Sequence, residues 1–242
     1  MGALAALRLQ LAWGADEALA EVPQDRTGPP PPPTVGPVGR GRAWDLATRA
    51  ASPGELREVL ATFDGCALRA TATNLVFADG NPKAGLVLIG EAPGAEEDRA
   101  GLPFVGPSGR LLDAMLASIG LDRRQVLITN VLPWRPPGNR TPTEQEIELC
   151  LPFLLRHLAL LQPRHLLLLG GLSTRVLTGS NLGIRRLRGR WVNVSIPGLA
   201  RPVPALPTFH PAYLLRTPAA KREAWVDFLL LRRALDVELT KL

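Results

Sequence analysis

Three side chains with complementary chemistry stand just past three short apolar runs: Glu91 after LVLIG, Asn130 at the end of VLITN and His210 at the end of ALPTFH. A carboxylate, an amide and an imidazole are groups that move protons and read the edge of a planar ligand. A fourth run, HLLLLG, ends in the glycine turn Gly170, Gly171 before Ser173. Each residue alone has a structural alternative. A strand-end Asn can satisfy its own turn, a His before Pro can be a turn residue, and Glu91 can cap a helix. Phe104, between Pro103 and a Gly/Pro turn, is either a packed anchor or a platform for a planar ligand. The loop WRPPGNRTP at 134–142 carries Arg135 and Arg140 on a stiff frame, suited to phosphate contact or simply solvated.

The elements that must carry these residues come from the pattern. Apolar runs at 86–90, 126–130, 165–170 and 205–210 predict four buried strands. Helical periodicity separates the first three, at 110–120 and 143–161, and a further helix is expected near Ser173–Leu177, followed by an extended stretch at 191–196. The expectation is an α/β fold: a single three-layer αβα domain with a central four-stranded parallel sheet. In such sheets ligands bind outside the carboxyl ends of the strands, which is where the four chemistry-bearing positions converge. Upstream, residues 4–20 have helix-forming composition, and 22–42 form a Pro/Gly-rich linker or flap containing five successive prolines. The compact domain is expected from Ala43, with Ser52 and Pro53 as a cap and first-turn pair.

Composition sets outer bounds. The 242 residues, 46% hydrophobic, can fill one sizeable core, which excludes a wholly disordered chain. A net charge of +6, with Arg dominating the basic residues, is compatible with a polyanionic partner or with a GC-rich genome. Cys66 and Cys150 make neither a disulfide framework nor a zinc site. With no signal peptide and no long apolar run, a soluble cytoplasmic protein without a membrane partner is expected.

Five segments in order, GEAPG at 90–94, GLPFVGPSG at 101–109, TNV at 129–131, RPPGNRTP at 135–142 and HPAYLLR at 210–216, resemble the family-4 type of the uracil-DNA glycosylase superfamily. The resemblance runs from about Cys66 to Arg233 and implies base excision repair by flipping uracil out of DNA and hydrolysing its N-glycosidic bond. It assigns Glu91 to the attacking water, His210 to the uracil O2, Asn130 to the N3–H and O4 edge, and Phe104 to stacking on the ring. Ala92, Glu97, Gly170 and Ser173 would line the pocket. Arg135, Asn139, Arg140, Tyr213 and Arg216 would contact DNA, with Leu214 as the wedge that fills the vacated place. Uracil-containing DNA is thus the implied partner. A protein partner would suit the Pro-rich segment, and a monomer is expected.

One departure stands out. The family pattern holds an iron–sulfur cluster on four cysteines, whose positions here fall on Cys66, Arg69, Trp134 and Cys150. Two thiolates do not suffice for a four-cysteine cluster, so no cofactor and no metal are expected, with Trp134 packing in the vacated space. The loop at 131–142 contains no His, so turnover is expected and not the covalent trapping of another branch; no lysine in the motifs offers a Schiff base. A catalytically reduced DNA-binding relative and a glycosylase shifted to hypoxanthine or xanthine remain the alternatives.

Overall fold

The computed structural model describes residues 41–239. The helix expected at 4–20 and nearly all of the 22–42 linker lie outside the described residues. Two helices open the described part, α1 (Arg42–Arg49) and α2 (Pro53–Thr62). They are separated where Ser52 caps α2, its side chain accepting from the Glu55 N–H with Pro53 in the first turn. After the short α3 (Leu68–Thr71) come β1 (Ala78–Gly80), β2 (Leu86–Gly90), α4 (Ala95–Ala100), α5 (Pro107–Ala117) and β3 (Leu127–Asn130). The chain continues through α6 (Glu144–Leu161), β4 (His165–Leu169), α7 (Gly171–Thr178), α8 (Ile184–Leu187), β5 (Val192–Val194), β6 (Val203–Thr208), α9 (Pro211–Arg216) and α10 (Lys221–Leu239).

The sheet has six strands in the order β1-β3-β2-β4-β6-β5. Its four central strands are parallel and are the four read from the apolar runs. The expected count of four is corrected by two edge strands of three residues each, β1 antiparallel to β3 and β5 antiparallel to β6. Neither is an apolar run; β1 reads Ala-Asp-Gly and owes its place to pairing with β3. The fourth strand also ends earlier than expected, at Thr208, so that Phe209 and His210 lie beyond its carboxyl end.

Alternation along the central strands divides the core between two faces. Val87, Ile89, Leu166, Leu168 and Ala205 pack with α1, α2 and α6. Leu86, Leu88, Leu167, Leu169 and Leu206 pack with Leu112 and Leu116 of α5 and Phe228 and Leu231 of α10. Helices therefore cover both faces, and the loops that carry chemistry are left to the strand ends.

A buried ion pair fastens α10 beneath that rim. Asp227 is fully buried and accepts from Arg188, at 2.5 Å to Nη2 and 3.0 Å to Nε, and from the Thr208 hydroxyl at 2.7 Å. Removing its carboxylate would leave the Arg188 guanidinium, which is only 15% exposed, with Glu223 at 3.4 Å as its remaining carboxylate. Asp227→Ala is expected to cost about 3–5 kcal/mol in urea unfolding; a loss below about 1 kcal/mol would show that the pair carries little of the stability.

Candidate active site

Beyond the carboxyl ends of β2, β3 and β6 lies a cavity of about 420 Å³, within the range of roughly 300–1,000 Å³ usual for small-molecule sites. Glu91, Phe104, Asn130 and His210 all line it, together with Ala92 and Glu97. Asn139, Arg140, Tyr213 and Arg216 also line it. Side chains from one strand end and three separate loops thus meet in one cavity, the strand end and the Glu91 loop belonging to the neighbouring strands β3 and β2.

The parallel register pairs Gly90 with Asn130. A Cβ on Gly90 would stand 2.4 Å from Asn130 Oδ1 and 2.6 Å from the Phe104 ring, closer than non-bonded carbon contacts allow. Glycine at the end of β2 is what lets amide and ring close on the same space. Asn130 is only 6% exposed, yet its Oδ1 has no hydrogen-bond partner among the described residues. A buried acceptor left open costs about 1–3 kcal/mol and points to a donor supplied from outside the chain.

Phe104 holds a backbone conformation that non-glycine residues rarely take, with φ +55°. Arg123 stabilises it by donating to the carbonyl oxygens of Phe104 and Pro103. The same guanidinium is fixed by Asp79 of β1 at 2.6 Å and Asp113 of α5 at 2.9 Å. Sequence reasoning missed Arg123, since nothing in its local pattern marks it. The edge strand it depends on was missed with it.

His210 is the N-cap of α9, and its Nδ1 accepts from the Ala212 N–H at 3.1 Å. The neutral ring therefore carries its proton on Nε2. Burial, aided by the positive charge of Arg216, pushes its pKa down to about 4, so the neutral form prevails near pH 7. The Phe104 and His210 rings lie 5.5 Å apart. Burial moves the Glu91 carboxyl the other way, above its ordinary value.

Several of the expected residues are engaged by the protein itself, and some lie away from the cavity. Glu97 accepts from the N–H groups of Gly94 at 3.1 Å and Gly106 at 2.8 Å, so it ties the two glycine-rich loops together. Ser173 is fully buried under the β4–α7 turn with its hydroxyl on the Gly170 carbonyl, away from the cavity. Gly170 lies behind His210, where a Cβ would stand 3.0 Å from that of the histidine. Arg135 does not line the cavity and donates to Asn139 Oδ1 at 2.7 Å. Arg140 is engaged by both oxygens of Glu146. Leu214 cannot act as an exposed wedge: it is fully buried, and Leu215, 43% exposed, is the apolar side chain that α9 presents.

Residues 77–230 match the model of the uracil DNA glycosylase superfamily. A type-4 uracil-DNA glycosylase of Pyrobaculum aerophilum is 40% identical over 178 residues, covering 72% of this chain and 89% of that protein. The chain belongs to the type-4 uracil-DNA glycosylase family. The type-4 enzyme of Archaeoglobus fulgidus is 42% identical over 67% of this chain and 83% of its own, and that of Thermotoga maritima 39% over 62% and 77%.

The four-cysteine pattern of type-4 uracil-DNA glycosylases does not fit this member. The chain has two cysteines, Cys66 and Cys150. Both are buried, and both belong to the core cluster that contains Trp134 at 2% exposure. A hydrogen bond from Cys150 holds the Cys66 thiol down at about 7, and that bond together with burial pushes Cys150 up. Of the two positions where further thiolates would be needed, Trp134 is packed in that core and Arg69 is an exposed arginine. Iron and acid-labile sulfide analysis of protein purified without oxygen is expected to find far less than one cluster per chain; a stoichiometric cluster would refute this.

Proposed function

We propose that this chain is a monofunctional glycosylase that extrudes uracil from DNA and hydrolyses its N-glycosidic bond, leaving an abasic site. The observation that carries the reading is the open Asn130 Oδ1 beside the Phe104 ring. Uracil offers an N3–H donor next to its O4 acceptor, so one amide satisfies both, with Oδ1 accepting and Nδ2 donating. Cytosine presents the reverse pair at the same edge. It would leave the buried acceptor unpaired, the arrangement that most strongly rejects a wrong substrate.

Bond cleavage places negative charge on the departing base and positive charge on the sugar. Neutral His210, with its proton on Nε2, donates to the uracil O2 as charge grows there. Glu91 orients and deprotonates the attacking water, and its carboxylate offsets the charge on the sugar. Its raised pKa makes it a better base than a solvated carboxylate. Phe104 stacks on the extruded ring, and Ala92 and Glu97 shape the wall. Leu215 enters the duplex at the vacated position, flanked by Tyr213 and Arg216; Asn139, Arg135 and Arg140 hold the strand on the other side.

Release of uracil from a labelled oligonucleotide, read as alkali-sensitive cleavage, tests the reading. Wild type is expected to cleave uracil-containing strands and spare cytosine. His210→Ala should lose about 10²–10³-fold. Asn130→Ala should lose roughly 10- to 100-fold, from about 1–3 kcal/mol of lost bonding. Leu215→Ala should lose more on duplex than on single strands. No release by wild type, or full rates in both site variants, would refute the assignment.

The acid limb of the rate profile has a defined order. Glu91 must be ionised, and its raised pKa makes activity fall first through Glu91 protonation, above the ordinary carboxylate range. His210 protonates only near about pH 4. Glu91→Gln is therefore expected to abolish the upper inflection, leaving a slower reaction that is flat until about pH 4; an unchanged inflection in that variant would contradict the role.

A further inference from the structure

A second cavity, about 440 Å³, lies against the first, and His210 and Tyr213 line both. Its other walls are the Gly170–Gly171 turn, Ile184 and Arg185 of α8, and Phe209. Among the described residues no carboxylate lines it. The adjoining segment, IRRLRGR at 184–190, places four arginines in seven positions. They divide into two kinds. Arg188 turns inward and is consumed by Asp227 and Glu223. Arg185, Arg186 and Arg190 are exposed and have no carboxylate partner among the described residues. Arg185 is nonetheless held in place, donating to the Tyr213 hydroxyl at 2.6 Å with its guanidinium 5.7 Å from the Phe209 ring centroid.

We propose that this second cavity seats the nucleotide adjacent to the extruded one, with Arg185 and Arg186 on the backbone phosphates of the same strand. The inference rests on the glycosylase reading and extends it to the path of the DNA. Neighbouring nucleotides are covalently joined, so a base held between Phe104 and Asn130 brings its neighbour to the wall formed by His210 and Tyr213. Glycine and apolar surface accept a sugar or base face, and guanidinium groups not neutralised by a carboxylate are suited to bidentate phosphate contact. Tyr213, bonded to Arg185, stands between the two cavities as the divider over which the strand passes.

Salt dependence of binding reads phosphate contacts directly. The probe is a fluorescent duplex oligonucleotide carrying a stable abasic analogue, followed by anisotropy across a range of salt concentrations. Removing one phosphate contact should lower the slope of log affinity against log salt by about 0.9. Arg185→Ala/Arg186→Ala is expected to lower it by about 1.8 and to weaken binding at low salt. Arg186→Ala alone should lower it by about 1. Arg57→Ala, which removes the same charge from the exposed face of α2, should leave the slope unchanged. A double variant with the wild-type slope overturns the inference, as does an equal fall in Arg57→Ala. Uracil release with an unaltered slope in the double variant removes only this proposal. A reduced slope in a protein that releases no uracil sustains the arginine contact and removes the glycosylase reading.

Discussion

The site depends on one unfavourable arrangement: an amide acceptor, Asn130 Oδ1, buried at the end of a central strand with no hydrogen-bond partner among the described residues. Water could satisfy an exposed asparagine, and a turn could satisfy an ordinary strand-end one. Here the neighbouring strand ends in glycine, and the aromatic ring of Phe104 occupies the space a side chain would have taken. The amide is therefore both buried and unspent. Such a group discriminates sharply because the penalty for leaving it open falls on every ligand that lacks a donor at that point.

Holding that arrangement requires strain to be absorbed nearby. The left-handed backbone at Phe104 is sustained by Arg123, which is in turn fixed between carboxylates from β1 and α5. Glu97 spans two loop N–H groups and keeps the loops on either side of the ring at a constant separation. His210 is set by capping α9, so its tautomer is a consequence of where that helix begins. The electrostatics come from the same burial. Desolvation pushes the carboxyl of Glu91 up and the imidazole of His210 down to about 4, so one cavity holds a carboxyl of raised pKa beside an imidazole that is neutral near pH 7.

Much of this is legible in the sequence because central parallel strands are continuous apolar runs, and the residues just past each run must lie at the ligand-binding rim. That rule places Glu91, Asn130 and His210. Phe104 reads equally well as anchor or platform from its neighbours alone, and the structure sets it in the cavity wall. The illegible part depends on geometry that no periodicity encodes. The three-residue edge strand β1 forms only because β3 offers it a partner, and Arg123 has meaning only once that strand is in place. Leu214 and Leu215 are chemically identical, and only the rotational phase of the six-residue α9 decides which is buried. Ser173 lies just past a strand end as the other candidates do, but its helix turns the hydroxyl back onto the Gly170 carbonyl. The cysteine count tells against a four-cysteine cluster directly, whereas the place of Trp134 in the core needs coordinates.

The most direct test of the central claim is NMR of the Asn130 side-chain amide during titration with free uracil and, separately, with free cytosine. The account predicts that uracil shifts the Asn130 Nδ2 resonances together with ring protons of Phe104, and that cytosine at the same concentration shifts neither. Equal shifts with both bases, or perturbation by uracil confined to residues outside this cavity, would contradict it.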